Sequence, residues 1–361
     1  MVEWTTIGSY RVSPSLMGRL TSSGVASKVR LEFRRSGEVM ALYFWSISHA
    51  IGDKGRVSGE SDAVGYAAGL LTWALAGGVF IAVKLSVGEM PPWTFCFWRV
   101  FLSALVLVPF VIPHRRDIVD FLRERWLEAL FIGGIGLGLT QGTLFTGINH
   151  TSVINTGIVM ATAPIITLML ARLILSEPMS GWQAVGSVIA FVGIVVVAVH
   201  GSLTLLLGVK VGLGDLIVLA AAVMLASYTV LLKRAKFKLD RLPLLFVLLC
   251  AGALAALPFH LWEVWRGEHE DLAFKGYMAL LYAAIPGGAL MYLCLNWSID
   301  VLGASRAGTL LYSQMVFAAI FAWLILGEPI EWYHYVGAGL IVVGVVMVTW
   351  LQPKTAASAA K

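Results

Sequence analysis

The chain repeatedly runs for about twenty residues with almost no charge, the length at which a helix crosses roughly 30 Å of hydrocarbon. Ten such runs lie between punctuating charges, glycines and prolines: 64–85, 93–112, 127–147, 153–175, 182–200, 213–232, 242–262, 277–297, 307–326 and 335–351. Lipid cannot satisfy backbone N–H and C=O groups, so each run is expected to be a helix. Composition agrees, with 58% of residues hydrophobic and 13% charged, against about 25% charged for a soluble globular domain. Cys96, Cys250 and Cys294 all fall inside apolar runs, at spacings that fit neither a zinc site nor a disulfide framework. They read as small buried hydrophobes.

The net charge of +5 follows membrane orientation better than nucleic-acid binding. Counted on alternate sides of ten spans, one side carries Arg115, Arg116, Arg123, Arg125, Lys233, Arg234, Lys236, Lys238, Arg241, Arg306, Lys354 and Lys361. The other carries Lys84, Lys210, Arg266 and Lys275. That asymmetry predicts a multi-pass protein of the cell (inner) membrane with both termini cytoplasmic. Residues 1–63 are polar apart from an apolar piece at 40–51, too short to span. They read as a tail outside the membrane body, disordered or lying at the interface.

The second half of the chain repeats the first. "LILSEPMSGWQAVGSVIAFVGIVVV" begins at Leu173 and "LILGEPIEWYHYVGAGLIVVGVVMV" at Leu324. One offset of 151 relates Glu177 to Glu328, Pro178 to Pro329, Gly186 to Gly337, and Gly193 to Gly344. Upstream, Lys84 pairs with Lys233 and Pro109 with Pro258 at an offset of 149. The expected organisation is a first repeat at 64–200, a connector at 201–212, a second repeat at 213–351 and a short tail at 352–361. Five spans per copy make the second copy enter from the opposite side. The fold expected is therefore an all-α integral membrane protein of ten transmembrane helices in two inverted five-helix repeats, with a site near the midplane between them.

These paired segments, each preceded by a small-residue stretch ("HTSVINTGIVMATAP", "VLGASRAGTLLYSQM"), resemble the two EamA domains of the drug/metabolite transporter superfamily. Arg99 within "PWTFCFWR" fits the same resemblance. It implies ten helices with both termini inside, a central cavity, and transport of small metabolites, often amino acids and usually outward. A multidrug or nucleotide-sugar-like carrier and a non-transporting scaffold are the alternatives. No GxSxG, HExxH or Walker loop is present, so neither an enzyme nor a cofactor or metal site is expected. The partners expected are the lipid bilayer and a small solute, with the chain acting as a monomer or a homodimer.

Polar groups inside apolar runs are the candidates for the solute path. Arg99 lies about six residues into the second run, so at ~1.5 Å per residue it is ~9 Å deep. An intramembrane charge is costly and needs a partner or water; a counter-charge for a substrate carboxylate and an outward-reaching structural arginine are both open. Asn155 and Thr162 share a face of the fourth run, and Thr162 aligns with Ser313. Gln141 aligns with Tyr292, which has Asn296 one turn on; Tyr312 and Gln314 follow in the ninth run, and Trp73 and Tyr228 stand in the first and sixth. Such residues either line a cavity or bond between helices. Gly134, Gly138 and Gly142 are spaced for close helix packing, and Pro286, Gly287 and Gly288 interrupt the corresponding eighth run. Glu177 and Pro178, with Glu328 and Pro329, read as joints at a membrane surface, the carboxylate complementing the N-terminal end of the next helix. No carboxylate is expected deep within a span.

Overall fold

The computed structural model describes residues 5–7, 10–12, 62–86, 90–151, 153–177, 180–202, 204–205, 212–267, 274–327 and 331–350. Pro178, Glu328, Pro329, most of the N-terminal tail and residues 351–361 lie outside the described residues. Within the first 53 residues, β1 (Thr5–Ile7) and β2 (Tyr10–Val12) form an antiparallel hairpin that pairs Thr5 with Val12 and Ile7 with Tyr10.

The membrane body is helical. In chain order it comprises α1 (Asp62–Ser86), α2 (Pro92–Val111), α3 (Arg115–Gly133), α4 (Thr140–His150), α5 (Val153–Met160), α6 (Ala163–Leu175) and α7 (Gly181–Ala198). It continues with α8 (Leu213–Ala235), α9 (Arg241–Trp265), α10 (Phe274–Ala284), α11 (Met291–Leu302), α12 (Ala304–Thr309), α13 (Ser313–Phe321) and α14 (Trp332–Trp350). Among the described residues, seven helical stretches are long and apolar enough to cross a membrane. One of them, Pro92–His150, runs for 59 residues. A short 3₁₀ turn at Ile112–His114 carries α2 into the charged α3, so two expected spans appear as one continuous stretch.

Two internal features recur. A π-helical segment joins α3 to α4 at Gly134–Leu139, and another joins α10 to α11 at Ile285–Leu290. They stand at the same 151-residue offset as the sequence repeat, as do the starts of α4 and α11, α5 and α12, and α7 and α14. The fourth and ninth runs are also broken alike. A turn at Ala161–Thr162 divides α5 from α6, and a 3₁₀ turn at Leu310–Tyr312 divides α12 from α13.

Packing follows small residues. α7 and α14 lie against each other, with Gly186 on Gly344 and Gly193 on Gly337; a Cβ at any of these four would stand 2.4–2.8 Å from the facing carbonyl oxygen. α2 lies along α9, α1 along α11 and α13, and α8 along α4 and α6. Gly138 meets the Gly252 backbone, Gly142 the Trp93 ring and Gly134 Ala255, as the spacing by four predicts. Cys96 and Cys294 are buried, whereas Cys250 is exposed, so only two of the three cysteines serve as core.

Joints between elements correct one expectation. α7 is capped by Ser180, whose hydroxyl accepts from Gln183 N while the Gln183 side chain accepts from Ser180 N. Glu177 does not cap that helix. It accepts from the Ser305 hydroxyl at the start of α12 instead. Two carboxylates are buried at helix ends rather than deep within a span, Glu263 in the last turn of α9 at 3% and Asp215 in the first turn of α8 at 5% exposure. Each holds a junction. Glu263 accepts from the Trp93 and Thr94 amides and the Thr94 hydroxyl at the α2 N-terminus, where the free N–H groups of a helix favour negative charge. Asp215 accepts from Gly212 N, Thr151 Oγ1 and Asn155 Nδ2, tying α8 to the α4–α5 junction.

Candidate functional site

Arg99 is 2% exposed and does not reach for the surface. Its Nε–H donates to Ala283 O at 3.0 Å, one amino group to Gly287 O at 2.7 Å and the other to Gln141 Oε1 at 2.9 Å. One turn later, the Ser103 hydroxyl sits 2.7 Å from Ala284 O. The local sequence explains the arrangement. Pro286 has no N–H to offer Tyr282 O, and the π-helical turn at Ile285–Leu290 shifts the backbone ladder around it. Arg99 and Ser103 reach the Ala283, Ala284 and Gly287 carbonyls of this turn from α2. Gly287 and Gly288 permit the approach, since a Cβ would stand 2.2 Å from Val79 Cγ2 and from Ser103 Oγ respectively.

Beside this clamp lies a cavity of about 90 Å³. Trp73, Arg99, Gln141, Phe145, Thr156 and Met160 line it from the first half of the chain, and Met291, Tyr292, Leu295, Leu311, Gln314 and Met315 from the second. The Arg99 guanidinium carbon is 5.9 Å from the centre of the Tyr292 ring, within cation–π range. Among the described residues Arg99 forms no ion pair, and no aspartate or glutamate lines the cavity. The Trp73 Nε1–H is buried without a hydrogen-bond partner among the described residues, and the Tyr292 hydroxyl lies against Gln141 and Arg99.

Five of the eleven candidate path residues thus come together: Trp73, Arg99, Gln141, Tyr292 and Gln314. The other six do not line the cavity. Tyr228 donates to Asn296 Oδ1 at 2.7 Å, and Asn155 donates to Asp215. The Thr162 hydroxyl donates to Val159 O and the Ser313 hydroxyl to Leu310 O, each satisfying its own helix at a break. Tyr312 is fully buried among Ala161, Ala190, Ile194 and Ile341. Thr156 and the methionines Met160, Met291 and Met315 were not singled out by sequence, because they look like any residue on an apolar face. No group of three His, Cys, Asp or Glu side chains is placed to hold a metal ion among the described residues.

An all-helical multi-pass membrane protein with a polar-centred cavity between two repeated segments is a transporter's architecture. The EamA-like transporter family matches twice, at residues 63–199 and 212–350. The chain belongs to that family, within the drug/metabolite transporter superfamily. It is 28% identical over 271 residues to the "Uncharacterized transporter YyaM" of Bacillus subtilis (strain 168), covering 74% of this chain and 88% of the relative. It is 24% identical to an "Uncharacterized transporter" of Archaeoglobus fulgidus, over 78% of this chain and 95% of the relative. The "S-adenosylmethionine uptake transporter" of Rickettsia prowazekii (strain Madrid E) is also 24% identical, over 73% of this chain and 84% of the relative. One solved crystal structure shares the fold, with a TM-score of 0.67 and 18% identity over 81% of this chain and 98% of the other.

Proposed function

We propose that the protein is a ten-helix secondary transporter that exports small organic metabolites, amino acids or related compounds, across the cytoplasmic membrane by alternating access. The observation that carries the reading is a cavity lined by both repeats, with Trp73, Arg99 and Gln141 on one side and Tyr292 and Gln314 on the other. The packing supports two equivalent halves. Exchanging them maps the contact of α1 with α11 onto that of α8 with α4, and the contact of α1 with α13 onto that of α8 with α6. The α2–α9 and α7–α14 contacts map onto themselves, as contacts across a two-fold axis do.

The Lys and Arg asymmetry assigns both termini to the cytoplasm. On that orientation the cavity straddles the middle of the membrane, with Arg99, Gln141 and Thr156 in the outer halves of their spans and Tyr292, Leu311 and Gln314 in the inner halves of theirs. Its inner side is closed by the Tyr228–Asn296 hydrogen bond, the Glu177–Ser305 contact and the Lys233 ammonium, which donates to the Ile299 and Asp300 carbonyls. The S-adenosylmethionine uptake relative favours testing uptake as well as export. Purified full-length protein in liposomes, loaded inside or outside with radiolabelled amino acids, lipophilic cations and S-adenosylmethionine, reads both directions. Efflux of amino acids that is lost on blocking the cavity is expected; no flux of any solute from folded protein favours a scaffold instead.

A further inference from the structure

We infer that a groove between α3 and α8 at the cytoplasmic membrane surface binds an anionic phospholipid, with the phosphodiester on Arg234 and an acyl chain along Phe131, Ile132 and Leu231. This site is separate from the solute cavity and takes its ligand from the bilayer rather than from water. It rests on the orientation argued above, in which the side rich in Lys and Arg is cytoplasmic.

The groove has a volume of about 350 Å³, and Arg125, Glu128, Phe131 and Ile132 of α3 line it together with Leu231 and Arg234 of α8. Arg125 precedes the third apolar run by two residues and Arg234 follows the sixth by two, so both stand at headgroup depth. The backbone of α3 leaves helical geometry at Arg125, with φ −133° and ψ 24°. That elbow divides a charged stretch, whose Ile118 and Phe121 share a core cluster with Val247 of α9, from the apolar continuation of the helix. Past the elbow Trp126, Leu127 and Phe131 are each more than half exposed. Large apolar side chains left uncovered here face lipid, and a tryptophan beside the charges marks the interface.

The charges in the groove do not cancel. Arg125 donates to Ala235 O at the end of α8, pairs with Glu128 and holds its guanidinium carbon 4.8 Å from the centre of the Phe237 ring. Glu128 is thereby matched. Arg234 is the charge left over, exposed and in no ion pair among the described residues. One uncompensated cation above an apolar floor suits a phosphodiester monoanion with its acyl chain below. A zwitterionic headgroup would bring a second cation beside two arginines, and a free phosphate would leave the floor uncovered. The other repeat shows that the fold does not require these charges. Arg125, Glu128 and Ile132 correspond at 151 residues to Gly276, Ala279 and Ala283, and Arg234 corresponds at 149 to Leu85. The matching contact of α10 with α1, on the opposite membrane face, carries no charge at those places. The charged version therefore faces the leaflet whose surface is negative.

The test titrates purified full-length protein in detergent with dioctanoyl phosphatidylglycerol, dioctanoyl phosphatidylcholine and glycerol 3-phosphate, read by ligand-induced thermal shift and by native mass spectrometry. Phosphatidylglycerol is expected to reach half-saturation at a concentration roughly tenfold or more below phosphatidylcholine, and glycerol 3-phosphate to give no shift. Arg234→Gln removes the charge and should weaken phosphatidylglycerol about tenfold, the scale of one hydrogen bond to a charged group. Arg234→Lys keeps the charge and should stay within about threefold of the unaltered protein. Arg116→Gln is the control, since it removes the same charge from an exposed position of α3 outside the groove. Equal weakening in Arg234→Gln and Arg116→Gln overturns the groove as a site, because the lipid then answers only to the net charge of this face. Equal half-saturation by phosphatidylcholine overturns the anionic assignment. A shift from glycerol 3-phosphate as large as that from phosphatidylglycerol overturns the lipid in favour of a soluble anion. Each of these results leaves the transporter reading, tested by flux, untouched.

Discussion

Gly344→Ala adds one carbon to α14, and the geometry states what that carbon meets. The new Cβ would lie 2.4 Å from Gly186 O, 2.6 Å from Ala190 N and 2.7 Å from Ala190 Cβ. Ordinary contact begins near 3.4 Å, so α7 and α14 must part by about 1 Å along their most intimate contact. The obstruction is backbone, which cannot rotate away. Overpacking of this kind costs about 1–3 kcal/mol, and in helix-packed membrane cores close approach of small residues is what holds neighbours together. Gly339→Ala supplies the control on the same helix, because a Cβ there has nothing within 4 Å. Both substitutions gain the same helix propensity, roughly 0.5–1 kcal/mol, so their difference isolates the steric cost. Thermal unfolding of the purified protein in one detergent, followed by intrinsic fluorescence, should place Gly344→Ala below Gly339→Ala by about 2 kcal/mol. At roughly 2–4 °C per kcal/mol for a large domain, that is about 4–8 °C. Equal melting temperatures would refute the claim that the two halves meet through this glycine contact.

Other outcomes follow from the same geometry. Arg99→Ala removes the side-chain donors to Ala283 O and Gly287 O and should reduce flux more than tenfold and stability by about 2–4 kcal/mol; Arg99→Lys retains charge but not the fork, so intermediate flux is expected, and wild-type rates from either variant would remove Arg99 from the site. Glu263→Gln places an amide nitrogen against the N–H groups of the α2 N-terminus and should cost roughly 1–3 kcal/mol in the same melting experiment, whereas an unchanged melt would mean that Glu263 holds no joint. Tyr228→Phe deletes the hydrogen bond to Asn296 and, with the inner closure loosened, should raise labelling of an inner-half cysteine placed at Ser298; unaltered labelling would separate that bond from closure. Cysteines placed at Ser180 and Glu331 should react with membrane-impermeant reagents from opposite faces, and labelling from one face would contradict inversion of the repeats.

Why five candidate residues converged and six did not is a matter of where each polar atom finds its partner. A hydroxyl in an apolar run has the same sequence signature whether it donates one turn back, as Thr162 does to Val159 O, or faces a cavity. Local bonding of this kind is always within reach of Ser and Thr. Arg99, Gln141 and Trp73 are longer, and their donors project past the backbone of their own helix, so the expectation of a shared site survived for them. Glu263 was overlooked for another reason. It lies one residue beyond the expected end of its apolar run, yet the helix continues to Trp265 and carries it into the α2 contact. The repeat itself was fully legible down to the residue offset, because packing glycines cannot change without separating backbones. What no periodicity reveals is that a proline and two glycines mark a π-helical turn whose carbonyls accept from a guanidinium almost two hundred residues away in the chain.

That clamp bears on why the two copies are joined in one polypeptide. At the 149-residue offset, the positions of Arg99 and Ser103 on α2 are held on α9 by Leu248 and Gly252. The first copy's bulge is met there by backbone, with Gly138 against Gly252 O and Gly133 against Leu248 O. A pair of identical subunits would have to display every residue twice. Two arginines at matching places on the touching helices α2 and α9 would set like charges into one small core without an acid to divide them. Covalent linkage releases the copies from that obligation: each can diverge where the other must not, and a shape with two-fold symmetry can hold a single cation beside its axis.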